Sequence, residues 1–300
     1  MKREDIRIRD PFVLAHNNMY YMYASAPSCV KKDDCQSFDK HSLAIILYKS
    51  KDMENWTEPE IVFSYIPTDN SEIVCDLWAP EVHFYNEKFY AFVSFKNKST
   101  KRGTYVAVSD SPDGEFRLLS EMPLTPYEHS CIDGTLYVED GIPYIVYSHD
   151  WPDCYNKETD MFVGQICARR LSDDLKEGIG EPFKLFSSDE ADIVKKNPNT
   201  VEYEGKNYLR CGSDGPFLSK REDGALLLFW SPMLNNNYVV MCAVSESGKL
   251  KGLWKHVEAP VFDNNGGHPM IFTNFDGRKI MCIHCPEKCF DERLHYFEIQ

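Results

Sequence analysis

The chain has 300 residues, 47 of them acidic and 33 basic, for a formal net charge of -14, and 43% of it is hydrophobic. An acidic surface of this kind repels the phosphates of nucleic acid and of anionic lipid, so neutral ligands fit it better. No run approaches the roughly 20 apolar residues of a membrane span, and the basic start at Lys2 and Arg3 has no apolar stretch behind it, so neither a membrane helix nor a signal peptide is expected. Eleven cysteines, an odd number, are scattered from Cys29 to Cys289 rather than set at the spacings of a disulfide framework, which points to a reducing, cytoplasmic location. All-β chains of this length commonly form one core, so residues 1–300 are expected to be a single domain.

In chain order, runs rich in aromatic and β-branched residues predict strands at 19–23, 43–48, 89–95, 104–109, 142–147, 162–169, 226–230, 238–245 and 294–299. No 3.6-residue amphipathic pattern lasts a dozen positions, and 173–178 is too short to count as a helix. The chain therefore reads as all-β.

One phrase recurs five times. An Asp, Ala or His opens an apolar run, a turn follows, and a second run ends in Ser or His: Asp10 to Ser25, Ala79 to Ser94, Asp133 to Ser148, Asp214 to Ser231 and His268 to His284. The distances from Asp10 to Tyr21, from Ala79 to Tyr90 and from Asp133 to Tyr144 are identical. Further strand pairs lie between these hairpins, for example 103–110 with 114–119 and 161–170 with 182–185, so each unit reads as four short antiparallel strands. Self-similar four-stranded units are propeller blades, and five of them predict a five-bladed β-propeller.

The first strand of a blade runs along the central axis, so the leading residues Asp10, Ala79, Asp133, Asp214 and His268 are expected to ring the mouth of the channel. A single Asp before Pro or Gly commonly does no more than open a turn. Three at one register point instead to a pocket of carboxylates. Carboxylates forced together titrate apart, one charged and one protonated, and general acid/base cleavage of a glycosidic bond requires that division. Trp78, just ahead of Ala79, and Ser148 and His149, at the end of the third hairpin, are read as substrate contacts beside that pocket, with core packing as the ordinary alternative for aromatic residues.

The segments Arg9-Asp10-Pro11-Phe12-Val13, Trp78-Ala79-Pro80-Glu81-Val82, Ile132-Asp133-Gly134-Thr135-Leu136, Ser213-Asp214-Gly215-Pro216-Phe217 and Gly266-Gly267-His268 resemble the signature strands of glycoside hydrolase family 43, one motif per blade across the whole chain. The resemblance implies a five-bladed propeller and an inverting hydrolysis by three carboxylates. Asp10 then matches the general base that activates water, and Asp133 the aspartate that orients the acid and tunes its pKa. The fourth blade departs from the pattern, because many relatives carry Glu-Gly-Pro where this chain has Asp214-Gly215-Pro216. Either Asp214 is a proton donor with a shorter reach, or a nearby glutamate supplies the proton while Asp214 binds sugar. Ser188-Asp189-Glu190-Ala191 resembles a Ser-Glu-Ala stretch found with Asp-Gly-Pro-Phe, so Glu190 is taken as the acid and Asp214 as a substrate-binding residue, although a solvated glutamate is the commoner fate in such an acidic run. His268 is implied to point into the axial channel toward a water or a metal, commonly calcium. Because calcium prefers oxygen ligands, a structural ion there would be held through water. No organic cofactor is expected.

Cys282, His284, Cys285 and Cys289 have some look of a zinc corner, but they lack a second ligand pair at set spacing, and ordinary buried cysteines are the expectation. The function expected from the resemblance is an inverting exo-glycosidase that releases α-L-arabinofuranosyl or β-D-xylosyl units from short hemicellulose-derived oligosaccharides. A non-catalytic sugar-binding propeller, an arabinanase and a fructan hydrolase remain open, the last disfavoured because Arg9-Asp10-Pro11 does not match the Asn-Asp-Pro nucleophile motif. Loops 27–41 and 151–160 are expected to shape the cleft.

Overall fold

The computed structural model describes residues 1–25, 44–64, 73–97 and 100–299, so the loop expected at 27–41 lies outside the described residues. Five antiparallel sheets follow one another along the chain. The first comprises Phe12–His16, Met19–Ser25, Ala44–Ser50 and Glu60–Ser64, and the second Ile73–Tyr85, Lys88–Asn97, Gly103–Ser109 and Arg117–Leu118. The third comprises Cys131–Glu139, Ile142–His149, Gln165–Leu171 and Gly178–Ser187, and the fourth Asp214–Lys220, Leu226–Ser231, Met241–Ser245 and Trp254–His256. The fifth has three strands, Gly267–Thr273, Lys279–Cys285 and Arg293–Glu298. The first strand of each sheet packs on the first strand of the next, and that of the fifth returns to that of the first, which closes a five-bladed propeller.

The repeat seen in the sequence is a repeat of turns. Asn17-Asn18, Asn86-Glu87 and Asp140-Gly141 each join the first two strands of a blade with two residues at positive φ, the twist that tight hairpins demand. Equal turns give equal spacing, and the fourth and fifth blades differ because their turns are longer. Four-stranded blades hold for the first four sheets and not for the fifth. There the N-terminal segment lies beside the outer strand instead, through a bridge between Arg7 and Arg293 and a hydrogen bond from Ile8 N to Glu292 O at 3.2 Å. The same segment continues to the first blade, where Trp56 N donates to Met1 O at 2.9 Å. The start of the chain thus ties the last blade to the first.

One expected pairing is different. Met161–Val163 leaves the third blade and joins Tyr155–Asn156, Asn199–Tyr203 and Lys206–Cys211 in an additional sheet, with Met161–Val163 parallel to Lys206–Cys211. The loop 151–160 is therefore built into structure: a single turn at Trp151–Asp153, then a short strand. The core lies between blades, where Tyr23, Phe92, Tyr105, Tyr147, Phe186 and Trp230 are all under 3% exposed.

Blades are also joined at the mouth by short polar contacts. The last residue of one hairpin accepts the backbone N–H of the residue that opens the next blade: Ser94 Oγ from Asp133 N at 2.9 Å, Ser231 Oγ from His268 N at 2.9 Å and His284 Nδ1 from Asp10 N at 3.3 Å. This explains why the repeated phrase ends in Ser or His. Removing such an acceptor strands a buried donor, which costs about 1–3 kcal/mol. Ser94→Ala is accordingly expected to lower unfolding stability by that amount in a denaturant titration, while an exposed-site control such as Glu222→Ala leaves it within about 0.5 kcal/mol.

Candidate active site

At the mouth the chain takes up left-handed backbone once per blade, at Asp10 (φ 48°), Ala79 (44°), Asp133 (55°), Gly215 (56°) and His268 (57°). Strand pairing gives the same alignment independently, since the residue two beyond each of these pairs across its hairpin: Phe12 with Tyr23, Glu81 with Phe92, Thr135 with Val146, Phe217 with Phe229 and Met270 with Cys282. The leading residue of the fourth blade is therefore Gly215, and Asp214 stands one position before it. Space decides this. A Cβ at position 215 would lie 2.9 Å from His268 Cγ, so no side chain fits there. Asp214 instead extends from the preceding position into the same group of charges.

Asp10 is held from several sides. His268 Nδ1 stands 3.2 Å and His284 Nδ1 3.1 Å from its Oδ1, and Arg9 Nε is 3.7 Å from its Oδ2. Glu287 supports this arrangement from behind, with Oε2 2.5 Å from His284 Nε2 and Oε1 accepting from Arg9 Nη2 at 2.9 Å. Burial by itself would raise the Asp10 carboxyl, but His268, Arg9 and His284 outweigh it and hold the group well below the ordinary carboxylate range. His284 shifts in the complementary sense. Burial opposes its charge, yet hydrogen bonds to Asp10 and Glu287 raise its pKa.

Asp133 is buried too, with the opposite result. Burial comes first, and although His268 opposes it, the negative charges of Asp214 and Asp10 help push the group up to about 7. Its Oδ2 accepts from Gly215 N at 3.0 Å, which ties the third blade to the fourth. Asp150, just past the third hairpin, is likewise pushed up to about 7 by burial and by Asp214 and Asp133. Burial also raises Asp214, against the pull of Arg210, His268 and Arg9. The mouth thus holds one carboxylate kept well below the ordinary range and three raised above it by burial, a division that acid/base chemistry can use.

The structure brings Asp10, Asp133, Asp214 and His268 together and leaves other expected residues apart. Glu190 does not join the cluster. It sits in the turn Ser188–Glu190, its Oε1 accepting from Ser187 N at 2.9 Å, and it lines a separate groove with Trp254 and His256. The reason is local, because Ser187 and Glu190 form a reciprocal cap that turns the carboxylate back on its own chain. Ser148 is fully buried, its Oγ 2.7 Å from Ser213 Oγ, so it joins strands and is closed to a ligand. His149 faces away from the axis toward His129, with ring centroids 4.7 Å apart. Trp78 is 41% exposed beside Ala79, and Arg102 lies over its ring at 3.5 Å.

His268 uses Nδ1 to hold Asp10, so only Nε2 remains for a channel ion. Calcium takes oxygen ligands, and an imidazole nitrogen is a poor one. The residue fits that ion at most through water, and no chemistry here depends on it. Of the supposed zinc corner, Cys282 is buried with its thiol directed at Pro11 O, Cys285 is directed at Asn264 O, and His284 belongs to Asp10.

Arg9, Asp150, Tyr238, His284 and Glu287 were not singled out as site residues from the sequence. Tyr238 stacks on His284 at 5.5 Å and 21°. The one available signal was His284, which fills the hairpin-ending position that is Ser in the other four units.

A profile of the Glycosyl hydrolases family 43 matches residues 5–297. Among solved structures, the chain is similar to an endo-arabinase from Bacteroides thetaiotaomicron, at 30% identity and TM-score 0.84, over 100% of this chain and 96% of that one. It is also similar to a thermostable family-43 glycoside hydrolase (23%, TM-score 0.77, 100% and 93% covered) and to an α-L-arabinofuranosidase from Lactobacillus brevis (17%, TM-score 0.71, 100% and 94% covered). No curated protein sequence matches it significantly.

The raised Asp133 carries a pH signature. Folding favours its protonated form, so its stabilising contribution is complete below the unfolded pKa of about 4 and is lost as pH rises through about 7. Asp133→Asn is expected to flatten the fall in unfolding free energy across that window relative to the parent protein, measured by denaturant titration at each pH.

Proposed function

The chain belongs to the glycosyl hydrolases of family 43, and on that premise we propose that it hydrolyses pentosidic bonds with inversion, releasing α-L-arabinofuranosyl or β-D-xylosyl units from short oligosaccharides. The observation that carries the reading is the division of charge in one pocket, with Asp10 fixed as an anion and Asp133 and Asp214 raised. An inverting site needs a base for water on one side of the sugar and an acid for the leaving oxygen on the other.

Asp10 is the base. Its Oδ1 is buried and faces two imidazoles, so Oδ2, with Arg9 at 3.7 Å, is the atom placed to orient water and receive its proton. Held well below the ordinary range, it stays charged whenever the protein is folded and so also counters the positive charge that develops on the sugar ring. Asp133 does not bond directly to substrate in this scheme. Its contact with Gly215 N sets the position of the fourth-blade mouth. Asp214 serves as the proton donor in this reading, because it shares that mouth and burial raises its carboxyl, whereas the carboxylate of Glu190 caps its own turn. Trp78 supplies a flat apolar face for the sugar.

Endo-acting cleavage of arabinan is the second reading, supported by the 30% identity to a protein named as an endo-arabinase. Product length separates the two: monosaccharide alone from a linear oligosaccharide supports exo action, and a spread of oligomers supports endo action.

NMR of the first product formed from arabino- or xylo-oligosaccharides is expected to show the inverted anomer. Asp10→Asn is expected to lose roughly 100- to 10,000-fold in kcat/KM. Asp214→Asn is expected to be far more damaging on sugars with poor leaving groups than on nitrophenyl glycosides. The same pattern from Glu190→Gln, with Asp214→Asn spared, would move the proton donor to Glu190.

A further inference from the structure

A second cluster lies on the outer side of the third blade. His129 precedes the first strand of that blade, His149 ends the second, and Asp153 lies in the turn that follows. One ligand atom from each falls within 4.8 Å of the other two. The two segments are already tied together: Asp150 N donates to Ser130 O at 2.8 Å, and Ser130 N donates to Asp153 Oδ2 at 2.6 Å. A second observation points to a ligand. His149 Nε2 is buried and has no hydrogen-bond partner, although a bare buried ring nitrogen is costly. Gln165 stands opposite His149 on the neighbouring strand.

We propose that His129, His149 and Asp153 form a binding site for a first-row divalent cation of the zinc type. Two imidazoles and one carboxylate suit such an ion, while calcium and magnesium would call for more oxygen. A tetrahedral ion with bonds near 2.0–2.2 Å would bring the three atoms to about 3.4 Å from one another. His129 is exposed and turns to meet it. The fourth position opens on the cavity lined by Pro126, Gln165 and Lys184, where water fits. Lys101, now 2.6 Å from Asp153 Oδ1 and half exposed, is displaced into solvent.

The consequence reaches the mouth of the propeller. Asp150 and Trp151 lie between two of the three ligands, so the ion would clamp the segment that carries them. The site stands on its own geometry and does not depend on the reading of the catalytic pocket.

Cobalt(II) titration of the chelator-treated full chain tests this, read by visible absorption. One equivalent is expected to give d–d bands of a nitrogen and oxygen site, without a thiolate charge-transfer band. His129→Ala, on an exposed residue, and His149→Ala, checked for folding by circular dichroism, are each expected to weaken binding by about 100-fold or more. Absence of stoichiometric binding would overturn the proposal. So would a thiolate band that survives in His129→Ala, which would place the ion on cysteine.

Discussion

The contact between the end of one hairpin and the start of the next blade governs the mouth of this propeller. A backbone N–H at the head of each inner strand has to be satisfied as the chain turns left-handed into the channel. Ser94, Ser231 and His284 supply the acceptors for Asp133, His268 and Asp10. In the first two cases the acceptor is a hydroxyl and serves structure alone. In the third it is an imidazole, and the same ring that joins the fifth blade to the first also faces the Asp10 carboxylate at 3.1 Å. The residue at the seam that closes the ring is thus also a neighbour of the Asp10 carboxylate, beside His268 and Arg9.

Burial alone does not decide what these carboxyls do. Asp10 and Asp133 are both removed from water, and burial disfavours the anion at each. Asp10 meets two imidazoles and a guanidinium, while Asp133 meets the charges of Asp214 and Asp10. The cations outweigh burial in the first case. In the second they do not. The division of labour between a base and groups that retain protons follows from which blade brings which neighbours, because the inner strands are otherwise alike.

Much of this was legible in the sequence, for a physical reason. Two-residue turns fix hairpin spacing, so Asp10, Ala79 and Asp133 could be aligned by counting. The fourth blade defeated counting. Its longer turn hides the register, and the repeated phrase puts Asp214 where the structure has Gly215. Only the close approach of His268 shows that the leading position there admits no side chain. Glu190 posed a different difficulty. Its neighbours in the sequence suggested a role in the pocket, but the reciprocal cap with Ser187 is a matter of backbone direction, and composition does not reveal it. Ser148 and His149 adjoin the site in sequence and alternate across the strand. One is therefore buried between strands, and the other faces out toward His129.

The sequence by itself determined the all-β propeller, its blade count, the family resemblance and the placement of Asp10 and Asp133 at the mouth, because periodicity and turn chemistry are local properties of the chain. Tertiary structure decided which of the remaining polar groups share that mouth. His284 and Glu287 lie at the far end of the chain from Arg9 and Asp10 and meet them only when the last blade closes on the first, while Asp214 reaches the same mouth from the fourth blade. Electrostatic coupling depends on distance in space, and separation along the chain does not record it.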